Sequence, residues 1–396
     1  MQPLQLSHFA IVSGLGLGLD ATFSALLAGR TGLRPQSYPS GVDTWIGKVD
    51  ALDDARLDDG LAPFECRNNR LAVLALAQDG FLEAAEGLRE KYGADRIGMF
   101  LGTSTSGIEQ TERAYRQRDG GSGRLPPDFH YAETHNTYSL AKLLSHVLRL
   151  SGPSVVVSAA CATTAKVFGN AARMIASGFC DAAIVGGADT LCSTTIYGFH
   201  SLGLVSRAPC RPFDAVRDGI SVGEAAGFAI VEKAAGELAP NAVVLRGFGE
   251  SSDAYHMSTP HPEGTGARLA MERALASAGL KPEDIDYVNA HGTATLVGDA
   301  AEDRALVELF GRDTPCSSTK GYTGHTLGAA GIVEAIISSL AIRNNFMPGG
   351  ANTREVDPAL RSRYLTEGRR QPVRRVLSNS FGFGGSNCSL VLERPL

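Results

Sequence analysis

The feature that most constrains this chain is the joint at Cys161, where the β-branched run Val155-Val156-Val157 breaks into Ser158-Ala159-Ala160 and then into helical spacing. Ala165, Val167, Ala171, Ala172, Met174 and Ile175 fall three and four residues apart, which predicts a helix beginning at or just after the cysteine. Such a strand–turn–helix unit belongs to a layered α/β fold and sets a thiol at a helix N-terminus. Unpaired backbone N–H groups and the macrodipole there favour a thiolate, so Cys161 is expected below the usual thiol pKa of about 8.5. Cysteine is also one of the most buried residue types, so its setting carries the inference and its mere presence does not.

Three more motifs supply the chemistry a nucleophile needs. His291 ends the run Val288-Asn289-Ala290-His291-Gly292-Thr293-Ala294-Thr295, just after a short strand signal at 285–288. His325 lies in Thr319-Lys320-Gly321-Tyr322-Thr323-Gly324-His325, ahead of a helical stretch at 329–342 with Ile332, Val333, Ile336, Ile337 and Leu340 on its apolar face. The positive end of that helix is expected to keep His325 neutral, leaving a ring N–H to donate. The last motif is Ser378-Asn379-Ser380-Phe381-Gly382-Phe383-Gly384-Gly385, followed by an alternating strand at 388–392. Its glycines permit backbone shapes closed to other residues and let main-chain N–H groups approach a ligand.

In this order the motifs resemble the β-ketoacyl-acyl carrier protein synthases of the elongating type, and the resemblance covers nearly the whole chain. Arg211-Pro212-Phe213-Asp214, Arg217-Asp218-Gly219, Asp253-Ala254-Tyr255-His256-Met257, Pro260-His261-Pro262 and Gly186-Gly187-Ala188-Asp189 belong to the same pattern. The Cys-His-His set separates it from the Cys-His-Asn initiating synthases. The resemblance implies a thiolase-like α/β fold of five layers, αβαβα, built from two related halves. Residues 1–236 would carry Cys161, and residues 237–396 both histidines and the glycine loop, with a chain boundary near 234–241. It further implies decarboxylative Claisen condensation of a Cys161-bound acyl group with malonyl-carrier protein. His291 and His325 would stabilise the enolate, and the backbone N–H groups of Cys161 and Phe383 would form an oxyanion hole. Lys320 would support the site and pair with Glu302, Phe381 would back it, and Phe383 would act as a gate. Acyl- and malonyl-loaded carrier protein are the implied partners, meeting Arg67, Arg70 and Arg207. The implied assembly is a homodimer, or a heterodimer with a related subunit.

The pattern also departs from the family. The stretch from Ser206 to Arg211 is short, Leu296 stands where proline is usual, and Thr105 falls at an acyl-pocket position. These departures leave chain length open, and with it the choice between fatty acid and polyene or polyketide assembly. A silent chain-length-factor-type partner would lack the cysteine, a thiolase would carry different histidine motifs, and a cysteine hydrolase would need no malonyl partner.

Composition sets the outer bounds. At 41.6 kDa, with 43% hydrophobic and 20% charged residues, the chain can bury a large core. A net charge of −5 argues against general nucleic-acid binding. Gly14-Leu15-Gly16-Leu17-Gly18 follows a strand signal, but Leu19 stands in place of the third glycine of a dinucleotide fingerprint. No cofactor or metal is expected. Seven cysteines without a CxxC pair fit reduced thiols, and the chain shows neither an export signal nor an apolar run of transmembrane length. The expectation is a cytoplasmic protein with no membrane partner. The polar stretch 118–129 reads as a surface loop before a helix at 138–150.

Overall fold

The computed structural model describes all of residues 1–396 except Ser40, Ala235 and Leu396. Ala235 belongs to the expected boundary stretch and so lies outside the described residues. The strands that matter here are β1 (Leu4–Ser13), β2 (Ile97–Gly102), β3 (Ser154–Val157), β4 (Ala182–Asp189), β5 (Ala225–Lys233), β6 (Val243–Ser252), β7 (Tyr287–Asn289), β8 (Pro315–Ser317), β9 (Arg363–Tyr364), β10 (Arg375–Gly382) and β11 (Ser386–Glu393). The helices are α1 (Arg67–Leu76), α2 (Ser139–Leu148), α3 (Thr163–Ala176), α4 (Ser193–Ser201), α5 (Thr265–Ala278), α6 (Leu296–Phe310) and α7 (Ala330–Asn344).

A twelve-stranded sheet runs in the order β9-β8-β7-β10-β11-β6-β1-β5-β4-β2-β3, with Gly16–Leu17 paired onto β1. Its two halves repeat one another. In the first, β1-β5-β4 pair antiparallel and β4-β2-β3 parallel. In the second, β6-β11-β10 pair antiparallel and β10-β7-β8 parallel. A short antiparallel contact of Leu4–Leu6 with residues 243–245 joins them. No internal repeat is legible in the residues, because pairing pattern depends on backbone hydrogen bonds that many apolar sequences satisfy.

Helices cover the sheet in layers because each strand face is apolar and needs a partner. One core, including Leu71, Leu143, Met99 and Ile230, lies between α1, α2 and the first half. Another, with Met271, Leu306, Val288 and Leu377, lies between α5, α6 and the second. The largest core, with Phe168, Ile336, Val231 and Leu392, surrounds α3 and α7 between the two halves. This is the αβαβα fold. The stretch Leu327–Asn344 is long and apolar enough to cross a membrane, with a mean hydropathy of 1.3, which differs from the sequence expectation. It is 89% buried because it is the central helix of this core.

The central pair α3 and α7 meet at their N-terminal ends. The Thr164 hydroxyl donates to the Gly328 carbonyl at 2.6 Å and accepts from the Ile332 N–H at 3.0 Å. A Cβ on Gly331 would collide with the backbone of Ala165, so only glycine permits this approach. Gly331→Ala is therefore expected to cost about 1–3 kcal/mol in a denaturant titration, through overpacking. It should also slow acylation of Cys161; unchanged stability and rate would show that the helices part without strain.

Candidate active site

The β3–α3 joint forms as the residue pattern predicts, with α3 beginning at Thr163, two residues beyond Cys161. The turn holds Ala160 at φ +47°, a left-handed conformation unusual for alanine, and buries Cys161. His325 precedes α7 by a short 3₁₀ turn at Leu327–Ala329, and its Nε2 lies 3.0 Å from the Cys161 sulfur. The His291 ring stands 5.5 Å from the His325 ring at 84°. The donor atoms of Cys161, His291 and His325 all lie within 4.8 Å of one another.

The charge state of the sulfur differs from the expectation. Burial pushes the Cys161 thiol up to about 11, outweighing the Lys320 charge and the Phe383 backbone N–H that favour a thiolate. Separation from the helix end by Ala162 and the loss of water both weaken the dipole argument. Both imidazoles are held well below their ordinary pKa, first by burial and then by Lys320, so they are neutral. For His325 this is the expected state from a different cause.

Lys320 is wholly enclosed. Its ammonium lies 3.2 Å from His291 Nδ1, donates to the His291 carbonyl at 2.5 Å and pairs with Glu334. An ammonium facing Nδ1 assigns the His291 proton to Nε2, the nitrogen on the far side of the ring from the lysine. Glu302 does not pair with Lys320. Its two carboxylate oxygens accept from the His291 and Gly292 N–H groups at 2.8 and 2.7 Å, and Asn379 donates to it at 3.1 Å. One turn earlier on α6, Asp299 accepts from Thr293 and Ala294 at 3.0 and 3.1 Å. Four successive N–H groups of the histidine loop are thus clamped by two carboxylates of one helix.

Asp189 provides a second clamp. It accepts from the Thr103 hydroxyl at 2.8 Å, from the Ser104 and Thr105 N–H groups at 2.7 and 2.8 Å, and from Gly328 at 2.5 Å. The β4 end is thereby tied to the turn following His325. Sequence reading missed Glu334, Asp299 and the role of Asp189. Glu334 had a signal, since it is the one acidic residue in the buried helix Ala330–Asn344 and falls among Ile332, Val333, Ile336 and Ile337.

The glycine loop follows β10. Gly384 and Gly385 adopt φ of +78° and +73°, and the Phe383 ring meets Phe199 of α4 edge-on at 5.6 Å. Phe381 lies 5.9 Å from His291. These residues wall a cavity of about 320 Å³ that is also lined by Leu204, Ile220, Pro260, His261, Leu296 and Val297. Thr105 does not line it; its hydroxyl donates to Asp189 at 2.9 Å. The short segment after Ser206 is pinned by Cys210, whose N–H donates to the Ser221 hydroxyl at 3.0 Å and whose thiol donates to the Lys320 carbonyl at 3.3 Å.

Two of the three expected docking arginines are engaged elsewhere. Arg67 pairs with buried Glu224 at 2.6 Å and with Asp53 at 2.9 Å, and Arg70 pairs with Glu65 at 2.9 Å. Both guanidinium side chains are half-buried and already ion-paired. Arg207 is exposed.

An αβαβα fold that brings a thiol and two neutral imidazoles to one apolar cavity defines a thiolase-fold condensing enzyme. Residues 10–236 match the family model for the beta-ketoacyl synthase N-terminal domain and residues 242–354 that for its C-terminal domain. The chain belongs to the β-ketoacyl synthase family, and its residues resemble the elongating branch of these acyltransferases. It is 35% identical to 3-oxoacyl-[acyl-carrier-protein] synthase 2 of Coxiella burnetii, with 98% of each chain covered. Against the Staphylococcus aureus (strain COL) protein of the same name it is 36% identical, covering 97% of this chain and 96% of the other. Among solved structures, the ketosynthase ApeO of Xenorhabdus doucetiae, in complex with its chain length factor ApeC, superposes with a TM-score of 0.91 at 37% identity. That match covers 100% of this chain and 98% of the other.

A thiol with a raised pKa stays protonated below it, so the thiolate fraction climbs across the whole neutral range. Alkylation of the free enzyme by iodoacetamide should rise about tenfold per pH unit from pH ~6 to ~9. Intact mass reads the rate; a plateau below pH ~8 would mean a stable thiolate–imidazolium pair instead.

Proposed function

We propose that this protein is a 3-oxoacyl-acyl carrier protein synthase in which Cys161 carries the acyl group and His291 and His325 drive decarboxylative condensation. The 3.0 Å contact between the Cys161 sulfur and His325 Nε2 carries this reading. In the first half-reaction the sulfur attacks the carbonyl of an acyl-carrier thioester. The carrier leaves as a free thiol, taking up the proton that Cys161 gives up through His325 Nε2. A thiol is both a good nucleophile and a tolerable leaving group, which two successive acyl transfers require. The N–H groups of Cys161 and Phe383 would hold the oxyanion.

In the second half-reaction malonyl-carrier protein enters with its thioester carbonyl against His291 and His325. Neutral imidazoles in a dry site can donate to that oxygen without themselves titrating. The bond to the carboxylate breaks, carbon dioxide leaves, and the electron pair passes into the enolate. The enolate carbon attacks the acyl-enzyme, and Cys161 departs as its carbon–sulfur bond breaks, with the proton that restores its thiol drawn from solvent. Lys320 and Glu334 hold His291 in the donating tautomer and supply no reacting atom.

Cys161→Ala should lose acylation by acyl-carrier protein, as read by intact mass, and His291→Ala or His325→Ala should lower condensation by about 10²–10³-fold. Wild-type protein that acylates but releases no carbon dioxide from malonyl-carrier protein would defeat the reading.

The assembly is proposed to be a pair of like-folded chains, either two copies or this chain with a related subunit. Strand β3 ends the sheet with one edge unpaired, and its Val155 is exposed. An open apolar edge favours strand pairing with another chain. Similarity to ApeO, solved with a chain length factor, supports the mixed form. Light scattering should give twice the monomer mass for the purified protein, and a monomer would point to a missing partner chain.

A further inference from the structure

We propose that the mouth of the cavity is an apolar collar on which the carrier protein seats by burying hydrocarbon, with ion pairs contributing little. The proposal rests on the synthase reading above and concerns how its macromolecular substrate is held. Among the described residues, nine large hydrophobic side chains are more than half exposed, and six of them lie on segments that line this cavity: Leu202, Val216, Tyr255, Met257, Leu296 and Val297. Exposed apolar side chains scattered singly need no explanation, whereas a cluster marks an interaction surface.

The six come from three separate segments that converge on the cavity. Leu296 and Val297 line it directly. Leu202 adjoins the lining residues Gly203 and Leu204, Val216 lies two residues before lining Asp218, and Tyr255 and Met257 flank lining His256. Hydrogen bonds tie these segments to one another and to the glycine loop: the Arg217 guanidinium donates to the Leu296 carbonyl at 3.3 Å, the Gly219 N–H to the Ala294 carbonyl at 3.0 Å, and the glycine-loop N–H of Gly384 to the Met257 carbonyl at 2.7 Å. The collar is therefore built before any partner arrives, which lowers the ordering cost of binding.

Its charge is sparse. Residues 202–220, 253–264 and 293–298 contain no lysine, and their arginines are Arg207, Arg211 and Arg217. Arg217 is buried between Asp299 and Asp357, and Arg207 alone of the three is exposed. With Arg67 and Arg70 already ion-paired, this face offers an acidic carrier the exposed Arg207, the half-buried Arg211 and several exposed hydrocarbon side chains. The reacting sulfur is buried at the floor of the same cavity, so a thioester borne on a protein brings that protein's body against the rim. Continuity with the site is what names the occupant.

The test compares malonyl-carrier protein with malonyl N-acetylcysteamine, at salt from about 0.05 to about 0.5 M, where surface ion pairs are screened. The variants are Val216→Ser with Met257→Ser, and Arg207→Ala alone. The double variant is expected to lower kcat/KM for the carrier substrate, relative to the small thioester, by at least about tenfold, the loss that two buried apolar side chains imply. Salt and Arg207→Ala should each shift the carrier KM by less than about threefold. An unchanged ratio in the double variant, or a steep salt dependence removed by Arg207→Ala, would overturn the collar while leaving the synthase reading in place. Dissociation of an oligomer by the double variant, seen by light scattering, would make the collar a subunit contact and overturn it too. Failure of wild-type protein to turn over either thioester would sink the synthase reading and the collar together.

Discussion

Everything at this site depends on how closely α3 and α7 approach at their N-terminal ends. The Thr164 hydroxyl bridges Gly328 and Ile332, and Gly331 lets the two backbones touch. Cys161 lies just before one helix and His325 just before the other, so this crossing sets the sulfur-to-imidazole distance. The repeated topology explains why the crossing is central. Each half contributes one helix to the middle layer, and the two strand-to-helix joints face each other across it.

Around that contact the protein excludes water and then compensates for the exclusion with hydrogen bonds. Burial is the first cause that raises the Cys161 thiol and Glu334, the latter to about 7, and that depresses both imidazoles, with the Lys320 charge adding to the depression of the imidazoles. Neutral forms are what a low-dielectric interior prefers. The charges that remain have assigned partners: Glu334 faces Lys320, Glu302 and Asp299 bind consecutive N–H groups of the histidine loop, and Asp189 binds the turn after His325. A buried carboxylate that accepts several backbone N–H groups holds a loop in one shape, since any other shape strands both donor and acceptor. The positions of the two histidines are therefore set by carboxylates that bind the backbone of their loops.

Much of this was legible before folding. The break from Val157 to Ala159, the helical spacing after Cys161 and the glycine run at 382–385 are local patterns, and each forms where its spacing predicts. Helix α6 begins at Leu296, where the Thr295 hydroxyl caps it by accepting from the Gly298 N–H at 3.2 Å. Partner choice was less legible. Glu302 was matched to Lys320, and the pairing of Arg67 with Glu224 went unseen, because such partners meet only when separate segments pack together. Glu224, which captures Arg67, lies 157 residues away.

The sequence by itself determined the strand–helix alternation and singled out Cys161, His291, His325 and the glycine loop as candidates, because these follow from short-range spacing and residue chemistry. Tertiary structure alone decided which carboxylate meets which cation, that the resting sulfur is a thiol, and that the cavity mouth is apolar. Those outcomes depend on burial and on distances between segments that only the packed layers bring together.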